Sequence, residues 1–400
     1  MDPIYRAIIS VGILVFIAKI MAGIFSTAKL PPILGEVFAG IVFGPYALGQ
    51  AIQIYGMPLV AINEYVDALA EIGAIMILFT AGLETGVTGL RKAGAWSILI
   101  AMGGAVPPFF AGYFLYRYLG AGEAAAMVVG AAMTATSIAI TTKVLEDLGA
   151  TGTDEANLLI NAAVFDDVIG VMILSVVSSI AIQGVSFDVL GAVKLTAIFI
   201  VIWLLLLGAG VYILPKMVDQ ASYVKAEGAG EAAAIAAAFI MSAVAGVIGL
   251  SPIVGAYAAG VAVGEAKAVT HVKQFVHHIT QIFSPLFFAS MGSKVNLAIF
   301  NESVLLGIVV LTVVAFLTKA LGSAVAALPK LRSTSRALLL GIGMVPRGEL
   351  GFIVAALGIA SGVIYQSQYV EIVGMVIATS FLAPIILSKL HRRSESRPSP

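Results

Sequence analysis

The sequence predicts an all-α polytopic membrane protein of about thirteen transmembrane helices, arranged as inverted-topology repeats with two interrupted helices. Three observations carry this. The 400 residues are 60% hydrophobic and only 11% charged, with mean hydropathy +1.05, where soluble domains carry about 25% charge. The basic residues of the links fall almost entirely on one side of the membrane. Two spans are broken at mid-length, seven spans apart.

Crossing the hydrocarbon core takes about 20 apolar residues, and such stretches occur at 3–25, 32–50, 66–85, 94–117, 122–144, 157–182, 189–215, 229–250, 252–265, 275–292, 302–328, 335–361 and 367–388. The first lacks a basic segment followed by a small-residue cleavage site, so it reads as a retained span. The ninth is short and abuts the eighth at Ser251-Pro252. Links after odd spans carry Lys29; Arg91 and Lys92; Lys143; Lys216 and Lys225; Lys267 and Lys273; Lys330, Arg332 and Arg336; the tail adds Lys389, Arg392, Arg393 and Arg397. The other side carries Arg6, Arg117 and Lys294. The positive-inside rule then puts the N-terminus outside and the C-terminus in the cytoplasm, which requires an odd number of spans.

Formal net charge is zero and no basic-aromatic patch occurs, so nucleic acid is not an expected partner; the bilayer is. No cysteine is present, which removes disulfides, thiolate metal sites and thiol chemistry. His271, His277, His278 and His391 lack the spacing of a helical metal-ligand pair, and His277-His278 reads as a loop or interface dipeptide. No enzyme chemistry, catalytic residue or cofactor is expected.

Span five reads MVVGAAMTATSIAITTKV, with Thr134, Thr136 and Ser137 at its middle, where β-branched and hydroxyl side chains weaken a helix. Span twelve reads LLLGIGMVPRGELGFIV, where Pro346 removes a backbone hydrogen bond and clashes with the preceding turn. Broken helices survive in a membrane where they are buried in protein or line a wet cavity. An odd offset of seven spans reverses their direction, the mark of an inverted repeat with a binding site at its centre.

The run AVFDDVIGVMILSV (163–176) holds Asp166 and Asp167 in a segment otherwise apolar enough to span. Each ionised carboxylate at that depth costs at least about 2.5–3.5 kcal/mol, so a chain that keeps two is expected to use them. At 1.5 Å per residue, Asp167 lies roughly 15 Å from the cytoplasmic face and Lys319 of span eleven roughly 12–14 Å from it. An acidic pair and a lysine thus share a level near both breaks, and opposite charge is what keeps such groups ionised. Adjacent helical positions diverge by about 100°, so one aspartate pairs with Lys319 while the other faces a water-filled path. Hard oxygen ligands there suit an alkali cation, and the same carboxylate can instead take a proton. Two ions competing for one group, exposed by turns to the two sides, constitute exchange transport. The alternative is an ion pair that only locks helices together. Arg347 and Glu349 are expected to compensate helix ends and each other. Asn157 and Asn161, at i and i+4, form a polar face expected to lead from the cytoplasm toward Asp166, as a funnel or as helix–helix hydrogen bonds.

The segments PPILGEVFAGIVFGP (31–45), ILFTAGLE (77–84), TATSIAI (134–140), FDDVIG (165–170), TKALGS (318–323) and PRGELG (346–351) resemble the monovalent cation:proton antiporter superfamily. The likeness is to its branch with paired aspartates, nearest the NapA-type sodium/proton antiporters. The resemblance runs in order along nearly the whole chain. It implies an NhaA-like fold in which the broken helices cross, with a mobile core domain at about 66–182 and 302–388 and a dimerisation domain at about 1–50 and 189–292, assembled as a homodimer. It makes Asp167 the principal carrier of sodium and proton, the transported ion's ligand, and pairs Asp166 with Lys319. Thr134, Thr136 and Ser137 supply polar groups near the ion. Relatives of the NhaA type carry an acidic residue where this chain has Ser137, so their coordination does not transfer in detail. The nucleotide-binding domain of the potassium-efflux branch is not expected. The implied activity is electrogenic exchange of cytoplasmic sodium, or lithium, for external protons across a prokaryotic plasma membrane by an elevator-like movement. A potassium/proton exchanger is the alternative within the class; a cation channel or a non-transporting scaffold is the alternative outside it.

Overall fold

A computed structural model describes residues 2–28, 30–54, 57–58, 60–92, 94–137, 140–141, 145, 153–183, 189–224, 226–248 and 250–395. Within these, the side chains of 50–51, 53–54, 57, 90–92, 167, 178–183, 189–193, 195–196, 349 and 391–395 lie outside the description. The expectations for the Asp167 and Glu349 side chains fall there, and their backbones lie in helices.

The chain is helical almost throughout. Helix α1 is Pro3–Thr27, α2 Pro32–Phe43, α3 the single turn Leu48–Ala51, α4 Glu64–Lys92, α5 Gly94–Tyr118 and α6 Glu123–Ala132. Then come α7 Asp154–Gln183, α8 Val189–Ser222, α9 Ala229–Val247, α10 Pro252–Val263 and α11 Val269–Ser293. The last are α12 Glu302–Leu331, α13 Thr334–Gly343, α14 Glu349–Ala360 and α15 Gln366–Glu395. A two-residue antiparallel ladder, β1 Gln53–Ile54 on β2 Met57–Pro58, departs from the all-α expectation without touching the spans. Among the described residues nine helices are long and apolar enough to cross a membrane, and α2, α6, α10 and Leu350–Ala360 of α14 are shorter apolar helices. His277 and His278 sit in α11 rather than in a loop, because the helix begins at Val269, before the apolar run does.

Local chemistry sets the ends. The Asp2 carboxylate accepts from the Ile4 amide at 3.0 Å ahead of Pro3, and the Asn301 side chain accepts from Val304 at 3.0 Å, each satisfying an amide the helix cannot. Gly86, at φ 56°, breaks α4 near its end; the Val87 amide thus freed donates to Glu265 at 2.9 Å.

The chain divides into two compact units, Met1–Val87 with Ala197–Phe300 and Thr88–Thr196 with Asn301–Pro400. Lipid is as apolar as leucine, so helices associate in it through close backbone packing and hydrogen bonds. In the first unit, a Cβ on Gly40 would sit 1.9 Å from the Ala289 carbonyl oxygen and one on Gly292 would sit 2.0 Å from that of Val37, so α2 and α11 meet backbone to backbone. Helix α4 belongs to this unit as far as Val87, whereas the sequence grouped 66–85 with the other. The reason is small-residue contact. Gly82 lies against the Tyr257 carbonyl and Gly260 against that of Phe79, while Thr80 and Thr280 share a hydrogen bond at 2.9 Å. Large apolar side chains such as Phe16, Leu205, Leu306 and Val325 stay exposed, the surface expected of a protein whose solvent is lipid.

The second unit holds α5, α6, α7 and α12–α15. Here α5 and α12 cross at Gly103 and Gly322, where a Cβ on Gly322 would fall 2.0 Å from the Gly103 carbonyl oxygen. Both predicted breaks lie in this unit. Helix α6 stops at Ala132, with non-helical backbone through Ser137; α13 stops at Gly343, and helix resumes only at Glu349.

Candidate ion-binding site

The two non-helical segments meet, and each satisfies backbone groups that the other's break leaves open. The Ser137 amide donates to the Pro346 carbonyl at 2.7 Å. The Thr136 hydroxyl donates to the Met344 carbonyl at 3.0 Å, and the Thr141 hydroxyl to that of Gly343 at 2.7 Å. These are the last carbonyls of α13, which have no intrahelical partner. In return, Arg347 donates to the Met133 carbonyl at the end of α6 at 2.7 Å and to Ala315 of α12 at 3.0 Å. The Arg347 carbonyl accepts from the Ser380 hydroxyl of α15. The guanidinium is fully buried, and it lies where the helix dipole of α6 places partial negative charge. A Cβ on Gly348 would lie 2.7 Å from that of Ser137, so glycine is what lets the segments touch.

Beside the crossing, Lys319 of α12 reaches Asp166 of α7. Its ammonium lies 2.9 and 3.0 Å from the two carboxylate oxygens, with both side chains at 0% exposure. It also donates to the Thr134 carbonyl. An ammonium has three protons and no acceptor, and these three oxygens accept from it. Two buried charges are tolerable when paired and fully hydrogen-bonded, and neither is tolerable alone.

Thr134 is one of the polar groups expected near the ion, and it carries both a hydroxyl and a carbonyl at the break. That hydroxyl turns back to Ala131 at 2.8 Å, and it is the carbonyl freed by the break that serves Lys319. Ser137 contributes its backbone amide to the crossing, and its hydroxyl lies 3.5 Å from the Ile140 amide. Thr141 and Ser380 were missed; Thr141 carries a signal, a hydroxyl one turn beyond the cluster on the same span, but Ser380 sits in an unbroken apolar helix.

Asn157 and Asn161 are not on the face of Asp166. Nine helical steps of about 100° carry Asn157 to the opposite side of α7, and Asn157 is exposed where Asp166 is buried. They line instead a cavity of about 390 Å³ with Trp96, Ser97, Asp154, Lys330 and Arg336. Arg336 pairs there with Glu155 and lies 3.7 Å from Asp154.

A family model described as sodium/hydrogen exchanger, transmembrane, matches residues 12–393. The chain is 29% identical to the high-affinity Na(+)/H(+) antiporter NhaS3 of Synechocystis, over 98% of this chain and 91% of that protein. It is 31% identical to a Na(+)/H(+) antiporter of Enterococcus hirae, covering 90% of this chain and 91% of that one. It is also 31% identical to the Na(+)/H(+)-K(+) antiporter GerN of Bacillus cereus, covering 89% of each. Among solved structures, the sodium proton antiporter MjNhaP1 of Methanocaldococcus jannaschii at pH 8 matches the fold with TM-score 0.73 at 18% identity, over 98% of this chain and 100% of that one.

Proposed function

The chain belongs to the transmembrane sodium/hydrogen exchanger family, and from that membership we propose that it is a secondary active antiporter exporting cytoplasmic sodium, or lithium, against external protons. The observation that carries the reading is the Asp166–Lys319 pair, buried beside two crossed helix breaks in one unit. Asp166 is held by Lys319, and its neighbour on α7, Asp167, is the carboxylate for which sodium and proton compete. Binding one excludes the other, and alternate exposure of the site couples their movements. Electrogenic exchange, with more protons than sodium ions moved per cycle, requires a proton carried besides the one on Asp167, because the fixed charges of Lys319 and Arg347 travel with the site in both directions and cancel. Glu349 begins α14 and compensates charge at the crossing.

Thirteen spans are proposed, the nine long helices with the shorter apolar ones, leaving the N-terminus outside and the C-terminus in the cytoplasm of a prokaryotic cell. The unit bearing α5–α7 and α12–α15 is the moving core. The other, α4 included, supports it and forms a homodimer in the plasma membrane, so an elevator-like shift carries the site across. Similarity to GerN, whose name includes potassium, favours a second reading in which potassium replaces sodium.

Reconstitution in sealed vesicles tests both readings. An imposed sodium gradient is expected to drive proton movement in the opposite sense, and Asp167→Asn to abolish it. Failure of any alkali gradient to move protons would exclude exchange and leave a channel or a scaffold; coupling to potassium alone would establish the second reading.

A further inference from the structure

Asp166 gives both carboxylate oxygens to Lys319, so it can turn toward an ion only if the ammonium withdraws. The ammonium is buried and cannot withdraw into water. It keeps the Thr134 carbonyl and is stabilised by any acceptor that stands in for Asp166.

Ser323, four residues on along α12, meets that need. It is 0% exposed, and its hydroxyl has no hydrogen-bond partner among the described residues. Helical side chains lean toward the N-terminus, over the turn before them, which here is the turn of Lys319. A point one bond out from Gly104 of α5 lies 2.6 Å from the Ser323 oxygen, 3.7 Å from Lys319 Cε and 3.8 Å from Asp166 Oδ1. The hydroxyl therefore stands beside the ion pair, and any side chain at 104 would fall upon it.

Its unpaired state is unusual for a helical hydroxyl. Thr80, Ser175, Thr318 and Thr379 each donate to the carbonyl four residues earlier, and Ser323 does not. Ser242 and Thr312 also go unpaired, but Ser323 is the one whose oxygen shares the space in front of Gly104 with Asp166 and Lys319. A buried hydroxyl without a partner destabilises the arrangement in which it is unpaired. An ammonium displaced from Asp166 would supply the partner it lacks.

We propose that Ser323 is a positioning residue, whose hydroxyl receives the Lys319 ammonium when a cation takes its place at Asp166. Gly104 keeps the approach clear. The assignment rests on Asp166 lying at the ion site. Ser323 touches no ion itself; it stabilises the cation-occupied state and leaves the resting state alone.

The test compares full-length wild type and Ser323→Ala in sealed vesicles, measuring sodium-driven proton flux against sodium concentration and pH. Thermal unfolding without sodium is measured alongside. The variant is expected to need at least about threefold more sodium for half-maximal flux, the effect of an ordinary interhelical hydrogen bond in lipid, and about tenfold or more where the bond is charge-assisted. Its activity profile moves to higher pH, because protons then compete more effectively. Maximal flux and sodium-free stability are unchanged or raised. An unaltered sodium dependence and pH profile would overturn the proposal, as would loss of sodium-free stability or of folding, which would show that the hydroxyl is bonded at rest. Absence of flux in the wild type would refute exchange itself, whereas normal wild-type flux with an indistinguishable variant would refute only the role of Ser323.

Discussion

Removing one member of the Asp166–Lys319 pair tests whether the site is ionic and closed to water. Lys319→Met keeps the apolar length of the side chain and withdraws the charge. It leaves a carboxylate at 0% side-chain exposure without its bonded partner, together with the Thr134 carbonyl. Asp166→Asn leaves an ammonium in the same condition. Breaking a buried ion pair from one side costs about 3–5 kcal/mol, whereas an interhelical hydrogen bond in lipid averages about 0.6 kcal/mol. The two regimes are far apart. If the pair is ionic and dry, each single variant loses about 3–5 kcal/mol, while the double variant, which buries a neutral amide and leaves neither charge unpaired, loses far less than the sum. A double-mutant cycle by detergent-titrated unfolding of the full-length protein should therefore give a coupling energy of several kcal/mol. Additive losses, with coupling below about 1 kcal/mol, would mean that water or other groups reach Asp166 and that Lys319 is not its necessary partner.

Arg347→Lys keeps the charge but loses the planar fork that joins the Met133 and Ala315 carbonyls. At least one charge-assisted hydrogen bond goes, a loss of about 1.5–3 kcal/mol, visible as a lower melting temperature together with reduced flux. Gly322→Ala should reverse the usual sign. Alanine is favoured over glycine in a helix interior by about 1 kcal/mol, yet a Cβ there meets the Gly103 carbonyl, so strain of about 1–3 kcal/mol is expected. Gly12→Ala, with nothing within 4 Å of its added carbon, is the control and should be neutral or stabilising under the same unfolding measurement.

Sequence periodicity and composition located nearly all of the helices, because a span must be long and apolar wherever it packs. The positions of the breaks were equally legible: Thr134–Ser137 and Pro346–Gly348 weaken helices through their own covalent structure. Depth along each helix follows from a constant rise per residue, so Asp166 and Lys319 could be matched in level before any contact was known.

What the sequence could not supply is the choice of neighbour. The polar face of Asn157 and Asn161 points away from Asp166 and opens on its own cavity. The Thr134 carbonyl, a group every residue possesses, is what serves Lys319, and Ser323 matters through Gly104, a residue with no side chain to read. Helix α4 joined the first unit through backbone contacts at Gly82 and Gly260. In each case the deciding quantity is a distance between segments remote in the chain, set by how closely backbones can approach. A one-dimensional pattern records which groups must be satisfied; packing alone decides which partner satisfies them.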